Sequence, residues 1–137
     1  LWLIDELVMT TAEVQDLLNK QSGWLGLTGH KDMREILSAA GYLSNDKSTK
    51  KFGLTDKKLA QLAIKVFVYR VQRYISSYLG ILGKVDALVF TAGIGERSPA
   101  IRRLIRRGIK WPGRLPTLVI PTDEELMIAK EIVKIIK

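Results

Sequence analysis

A chain of 137 residues, 47% of them hydrophobic, is long enough to bury a core of its own, which excludes a disordered polypeptide. It has no cysteine, which excludes disulfides and thiolate metal sites, and its one histidine, His30, cannot by itself make a histidine metal site. Its formal charge of +8, from 22 Lys+Arg against 14 Asp+Glu, suits an anionic partner: a nucleotide, a nucleic acid or an acidic neighbouring domain. No apolar run reaches the roughly 18 residues of a membrane span, and no signal peptide is recognisable. The first residue is Leu1 rather than Met, so the chain is expected to begin inside a longer protein.

Leu1 to Met9 is apolar with Asp5 and Glu6 inserted and reads as a helix. Thr10 and Glu13 form a Thr-x-x-Glu capping box, and Val14, Leu17 and Leu18 continue it as a helical stripe that ends near Lys20. Gly23 to Gly29 is punctuated by glycine and reads as loop or short strand. Asp32 to Ala40 reads as a short helix stopped by Gly41, and the polar, basic stretch Ser44 to Gly53 as a mobile surface loop. Thr55 opens a long helix to about Leu82. Its apolar residues, from Leu59, Leu62, Val66 and Tyr69 round to Ile64, Phe67, Val68, Val71, Ile75 and Leu79, predict burial on more than one side.

Asp86 to Phe90 has the composition of a short buried strand, and Thr91 to Glu96 breaks it with Gly93 and Gly95. Ser98 is a good N-cap and Pro99 suits the first helical position. Strand, Gly-x-Gly and helix start make a common nucleotide site, because exposed N–H groups and the helix dipole favour anions. A tight strand-to-helix connection with no ligand explains the same residues, and local chemistry leaves both readings open. In the helix that follows, Arg102, Arg103, Arg106 and Arg107 fall on adjoining parts of one face and read as a solvated surface, with Ile101, Leu104 and Ile105 opposite. No aromatic residues interleave with them, so nucleic acid is not the expected partner.

Trp111-Pro112-Gly113 is a second break, and Leu118 to Ile120 predicts a short buried strand. Thr122 with Glu125 reads as another capping box, launching a terminal helix whose buried side would be Leu126, Ile128, Ala129, Ile132, Val133 and Ile136. Strands alternating with helices predict parallel pairing in an α/β architecture. Two or three strands make an incomplete sheet, so the chain reads as part of a larger α/β domain.

Three separated motifs resemble one family. Leu17 to Gly23 followed by Asp32-Met33-Arg34-Glu35 is similar to a segment of the C-terminal domain of acetate kinase and its short-chain acyl kinase relatives. DALVFTAGIGE, Asp86 to Glu96, resembles the adenosine-binding segment of that family, and VIPTDEELMIA, Val119 to Ala129, its magnesium-associated C-terminal segment. The three occur in the family's order and span nearly the whole chain.

The resemblance implies a ribonuclease-H-like fold of the actin, hexokinase and Hsp70 superfamily, with residues 1–137 as the C-terminal nucleotide-binding segment of a two-domain kinase. It implies transfer of the ATP γ-phosphoryl group to acetate, giving ADP and acetyl phosphate, with propionate and butyrate as alternative acceptors. Mg2+ would be the cofactor, ATP and ADP the bound nucleotides, and a homodimer in the cytoplasm the expected form. The short-chain carboxylate would be held by an N-terminal domain absent from this chain. No catalytic residue is assigned here, and the segment alone is expected to be inactive. Asp32, Met33 and Arg34 match residues that border adenosine: the charged groups would grip ribose and flank the base, and Met33 would offer soft apolar surface. Gly93, Ile94, Gly95 and Glu96 match the nucleotide loop, with Ile94 against the adenine face. Arg97 stands where the family usually has Asn, and the interval from Gly108 to Leu118 is shorter than in the family. Glu124 matches a glutamate associated with magnesium. Two rival readings are a basic nucleic-acid-binding module built on the arginine helix and a non-catalytic remnant that keeps only nucleotide binding.

Overall fold

The computed structural model describes residues 2–43, 54–111, 113 and 115–136. The stretch expected to form a loop between Ser44 and Gly53 therefore lies outside the described residues. The chain divides into two compact units, Leu1–Arg70 and Val71–Lys137.

In the first unit, α1 (Trp2–Asp5) is a single turn, shorter than the expected run to Met9, and Val8 beyond it adopts φ +52°. Thr10 caps α2 (Thr11–Asp16) with the expected reciprocal box: the Glu13 N–H donates to Thr10 Oγ1 at 3.3 Å, and the Thr10 N–H to Glu13 Oε2 at 2.7 Å. A π-helical turn, Leu17–Gln21, ends the segment close to the expected point. Gly23–Thr28 forms a helix, α3, where loop or strand was expected. Tertiary contact explains the difference: Trp24 packs edge-on against Phe67 with ring centroids 5.2 Å apart. Within the helix, Thr28 Oγ1 donates to the Trp24 carbonyl at 2.7 Å. Gly29, at φ +72°, closes the helix in the left-handed conformation that glycine adopts without strain.

Asp32 caps α4 (Met33–Ala39), and Gly41 follows at φ +83°, as the sequence predicts. The long helix α5 (Leu54–Leu82) also forms as expected, but its burial is narrower. Ala60, Ala63, Ile64 and Val68 are buried, whereas Leu59, Leu62, Val66 and Tyr69 are exposed. The four buried residues fall at positions i, i+3, i+4 and i+8 and make a single stripe along the helix. Met33, Ile36, Leu37, Ala39 and Ala40 of α4 and its C-cap complete the core of this unit. Burying a side chain such as Ile36 or Ile64 stabilises by about 1.5–3 kcal/mol.

The second unit carries β1 (Leu88–Phe90), α6 (Ala92–Arg97), α7 (Pro99–Gly108), β2 (Thr117–Val119) and α8 (Glu124–Ile135). The strands pair in parallel, Leu88 opposite Thr117 and Phe90 opposite Val119. Ser98 Oγ accepts from the Ile101 N–H at 3.3 Å, and Pro99 takes the first turn, so α7 starts where the sequence places it. Phe90, Ile101, Ile105, Ile109 and Leu115 are buried in this unit. Gln72 Nε2 donates to the carbonyls of Leu104 and Ile105 at 3.1 and 3.0 Å, fixing the end of α7.

The helix pattern of α8 is present but its burial is not. Leu126, Ile128, Ile132, Val133 and Ile136, expected to be buried, are about half exposed or more, and Ala129 is exposed as well. The expected buried strand is likewise open: Leu118, Val119 and Ile120 are 48, 43 and 49% exposed. An apolar stripe is buried only where another layer covers it, and among the described residues the sheet has two strands. No helix of the described residues is long and apolar enough to cross a membrane.

Candidate functional site

Parallel pairing brings the carboxyl ends of β1 and β2 to the same edge, where open α/β sheets hold their ligands. The chain leaves β1 through Thr91 into α6 and leaves β2 through Ile120 toward α8. The Ile120 N–H donates to the Phe90 carbonyl at 3.0 Å, which extends the pairing to this edge. A cleft of about 470 Å³ opens between the two departing segments, lined by Ala92, Gly93, Glu96 and Arg97 on one side and Thr122 to Glu125 on the other.

Gly93 and Gly95 were expected to form a turn; instead they lie within the short helix α6. The left-handed residue is Ala92, at φ +59°, and neither glycine has a positive φ. A Cβ on Gly93 would meet nothing beyond its own helix backbone within 4 Å, so this glycine is not required by packing within the protein and leaves the cleft open. A Cβ on Gly95 would touch Phe90 at 3.5 Å, an ordinary contact. Ile94 is half-exposed and Arg97 is exposed on the cleft wall.

Glu96 joins the two walls. Its Oε1 accepts from both the N–H and the hydroxyl of Thr122, each at 2.8 Å. These two bonds, the side-chain one first, hold its carboxyl below the usual glutamate range. Thr122 is therefore not the cap of α8. That role belongs to Asp123, whose Oδ1 accepts from the Leu126 N–H at 2.9 Å, and the expected box with Glu125 does not form. The hydroxyl that would have capped the helix is engaged by the loop after β1.

The arginines of α7 are divided as well. Arg102 Nη1 donates to the carbonyls of Gly95 and Glu96 at 2.8 and 2.6 Å, and Arg106 Nη2 to the Leu115 carbonyl at 3.1 Å. Only Arg103 and Arg107 are exposed as a solvated face. Sequence reasoning missed both Thr122 and Arg102. Spacing of three and four hid the difference between arginines that turn back to the backbone and those that face water.

Asp32, Met33 and Arg34 belong to the first unit. Asp32 accepts from the Arg34 backbone N–H at 2.8 Å, and Arg34 Nη2 donates to its Oδ2 at 2.6 Å. The side-chain bond to Arg34 is the main cause that lowers the Asp32 pKa. This is the geometry of a capped helix start with a local ion pair. Met33 was expected to offer apolar surface to a base, but it is 6% exposed and belongs to the core.

Glu124 is the first residue of α8 and lines the cleft. Glu96 is committed to Thr122 and Asp123 to its cap, and among the described residues no group of three or more acidic or histidine side chains could hold a metal. The donor set fits Mg2+ arriving with phosphate oxygens and water as its other ligands, with one protein carboxylate added, but not a cage built by the protein.

A small parallel sheet with a helix after each strand and a cleft at its carboxyl edge places the chain in the α/β class. The model of the acetokinase family matches residues 1–114, and the chain belongs to that family. It is 36% identical to an acetate kinase of Campylobacter concisus in an alignment of 160 residues that covers 100% of this chain and 37% of that protein. Among solved structures it is similar to a propionate kinase of Francisella tularensis (TM-score 0.78, 36% identity, 95% of this chain and 35% of the other). It is also similar to the acetate kinase of Porphyromonas gingivalis (TM-score 0.76, 28% identity, 99% and 37%). The chain thus spans little more than a third of the length of these relatives.

Proposed function

We propose that this chain is the C-terminal, nucleotide-binding part of a kinase that transfers the ATP γ-phosphoryl group to acetate. A carboxylate oxygen of acetate attacks the γ-phosphorus, the bond to the β–γ bridging oxygen breaks, and ADP leaves with acetyl phosphate as the product. The observation that carries the reading is the cleft at the carboxyl edge of the parallel strands, walled by Gly93, Glu96 and Glu124 in a chain of the acetokinase family. Such transfer depends on positioning and charge neutralisation, so a domain that holds nucleotide without supplying a nucleophile has a defined task.

Gly93 leaves room for nucleotide to approach the backbone, and Glu96 and Arg97 line the same wall, with Ile94 and Gly95 added to the nucleotide contacts by the family resemblance. The family resemblance would add Asp32 and Arg34 as adenosine contacts, and Met33 anchors their helix in the core of the first unit. Glu124 would offer one carboxylate to Mg2+, which would supply charge neutralisation when bound. A homodimer in the cytoplasm belongs to the same reading. Propionate is the second acceptor to consider, because a propionate kinase is among the similar structures. The nucleic-acid alternative is weakened because Arg102 and Arg106 are already bonded to backbone carbonyls.

The test is acyl phosphate formation by the full-length protein with ATP, Mg2+ and acetate, propionate or butyrate, trapped by hydroxylamine. Acetate is expected to give the highest kcat/KM. A higher value for propionate would reassign the acceptor. Salt-sensitive nucleic-acid binding with no ATP binding and no acyl phosphate would overturn the kinase reading.

A further inference from the structure

Ala92 sits in the left-handed region at φ +59°, where a side chain is strained, while the adjacent Gly93, which could adopt that conformation freely, does not. Something must hold Ala92 there, and the hydrogen bonds identify it. The Ala92 N–H donates to Thr122 Oγ1 at 3.0 Å. Thr122 Oγ1 also lies 2.8 Å from Thr91 Oγ1 and 2.8 Å from Glu96 Oε1. A hydroxyl has one hydrogen to donate and two lone pairs. Ionised Glu96 can only accept, so the Thr122 hydrogen points to Glu96, and its lone pairs take the Ala92 N–H and the Thr91 hydroxyl. One hydroxyl thus uses its full capacity on three residues that bracket the entry to α6, and the Thr122 N–H adds a second bond to Glu96 at 2.8 Å.

We propose that Thr122 is a positioning residue that holds the loop after β1 in its nucleotide-binding conformation by stabilising the left-handed Ala92. This rests on the nucleotide reading of the cleft. Thr122 acts through Ala92, the residue before Gly93. Its place at the entry to α8 links the loop to the segment that carries Glu124, so both walls of the cleft are set by one side chain.

The experiment measures ADP binding by calorimetry, without divalent metal, and amide hydrogen exchange at Ala92 in the full-length protein. Thr122→Val keeps the branched shape and removes the hydroxyl. It is expected to weaken ADP binding by about tenfold and to expose the Ala92 amide to exchange. Thr122→Ser is expected to behave as wild type in both measurements. Adding Ala92→Gly to Thr122→Val should restore most of the affinity, because glycine needs no support at that backbone angle. A purely packing role for Thr122 would show no such rescue. Equal ADP affinity in Thr122→Val and wild type, or no recovery in the double variant, overturns the proposal. Absence of ADP binding by wild type would instead overturn the nucleotide reading, while amide exchange still tests the contact with Ala92. Where Thr122→Val does not fold, Ala92→Gly alone carries the test: its unfolding midpoint should not fall, and a fall would show that Ala92 is not strained.

Discussion

Thr10 and Thr122 begin the same four-residue signal, Thr-x-x-Glu before an apolar run, and the molecule uses them differently. Thr10 exchanges hydrogen bonds with Glu13 three residues on and starts α2, so everything it needs is local. Thr122 turns away from its own helix, bonds to Thr91, Ala92 and Glu96 about thirty positions back along the chain, and leaves the cap to Asp123. Each threonine also holds a glutamate carboxyl below its usual range, Glu13 through Thr10 and Glu96 through Thr122. A capping hydroxyl is a general-purpose donor and acceptor, and it goes where unsatisfied partners are most costly to leave. Next to an ordinary helix that is the first turn; beside the cleft it is a strained loop.

The sharpest contrast between the two regions should come from Gly93. Gly93→Val adds a branched side chain where a Cβ would meet nothing beyond its own helix backbone within 4 Å, so the fold should survive while the cleft is filled. ADP affinity, measured by calorimetry, is expected to fall about a hundredfold, equivalent to roughly 3 kcal/mol of overpacking against the ligand. Unchanged affinity in a folded variant would separate the Thr122 network from nucleotide binding altogether.

Thr10→Ala should give the opposite profile. Loss of the cap is expected to cost about 0.5–2 kcal/mol in a urea titration and leave ADP affinity unchanged. A change in ADP affinity would mean that the Thr10 region is also functional, and the contrast would break.

Acid should act on both regions with the same sign. The folded pKa values of Glu13 and Glu96 are depressed, by the backbone bond from Thr10 and the side-chain bond from Thr122 respectively. Their contribution to stability is therefore fully present above the unfolded value near about pH 4.3 and lost as pH falls through the folded values. Arg97 beside Glu96 opposes this loss, whereas Asp123, Glu124 and Glu125 line the same cleft with charge of its own sign. Glu13→Gln and Glu96→Gln should each flatten the decline of the urea midpoint over roughly pH 3–5. An undiminished decline in either variant would show that the corresponding threonine does not hold an ionised carboxylate.

What was legible in the sequence follows the same division. The Thr10 box, the Asp32 start and Gly41 stop of α4, and Ser98-Pro99 before α7 depend on neighbours within one turn, and residue order predicts them. Parallel pairing of the strands followed from the helix between them. Helix α3 was not legible, because its glycines argue against a helix that Trp24 supports by packing on Phe67. The exposed faces of α8 and β2 were not legible either, since an apolar stripe is the same in sequence whether or not a layer covers it. In the site, Gly93, Glu96, Arg97 and Glu124 of the family motifs line the cleft, but the bonds of Thr122 and Arg102 depend on chain segments brought together by the fold. Met33, whose chemistry suits a base, is buried in the core of the first unit, a placement that residue order does not reveal.

The smallest expected effect tests the origin of the comparison. If Thr122 capped α8, Glu125 would be its partner at the third helical position, a role that Gln can fill and Ala cannot. With Asp123 as the cap, that third position belongs to Leu126, and Glu125 has no capping bond to lose. Glu125→Gln and Glu125→Ala should therefore unfold alike, differing by no more than the helix-propensity gap of roughly a few tenths of a kcal/mol in favour of Ala. At position 13 the order should reverse, with Gln better than Ala, because that box is intact. Both pairs can be compared by urea midpoint at neutral pH. A preference for Gln at position 125 would mean that the Thr122 hydroxyl is shared with its own helix, and that the loop after β1 is held by something else.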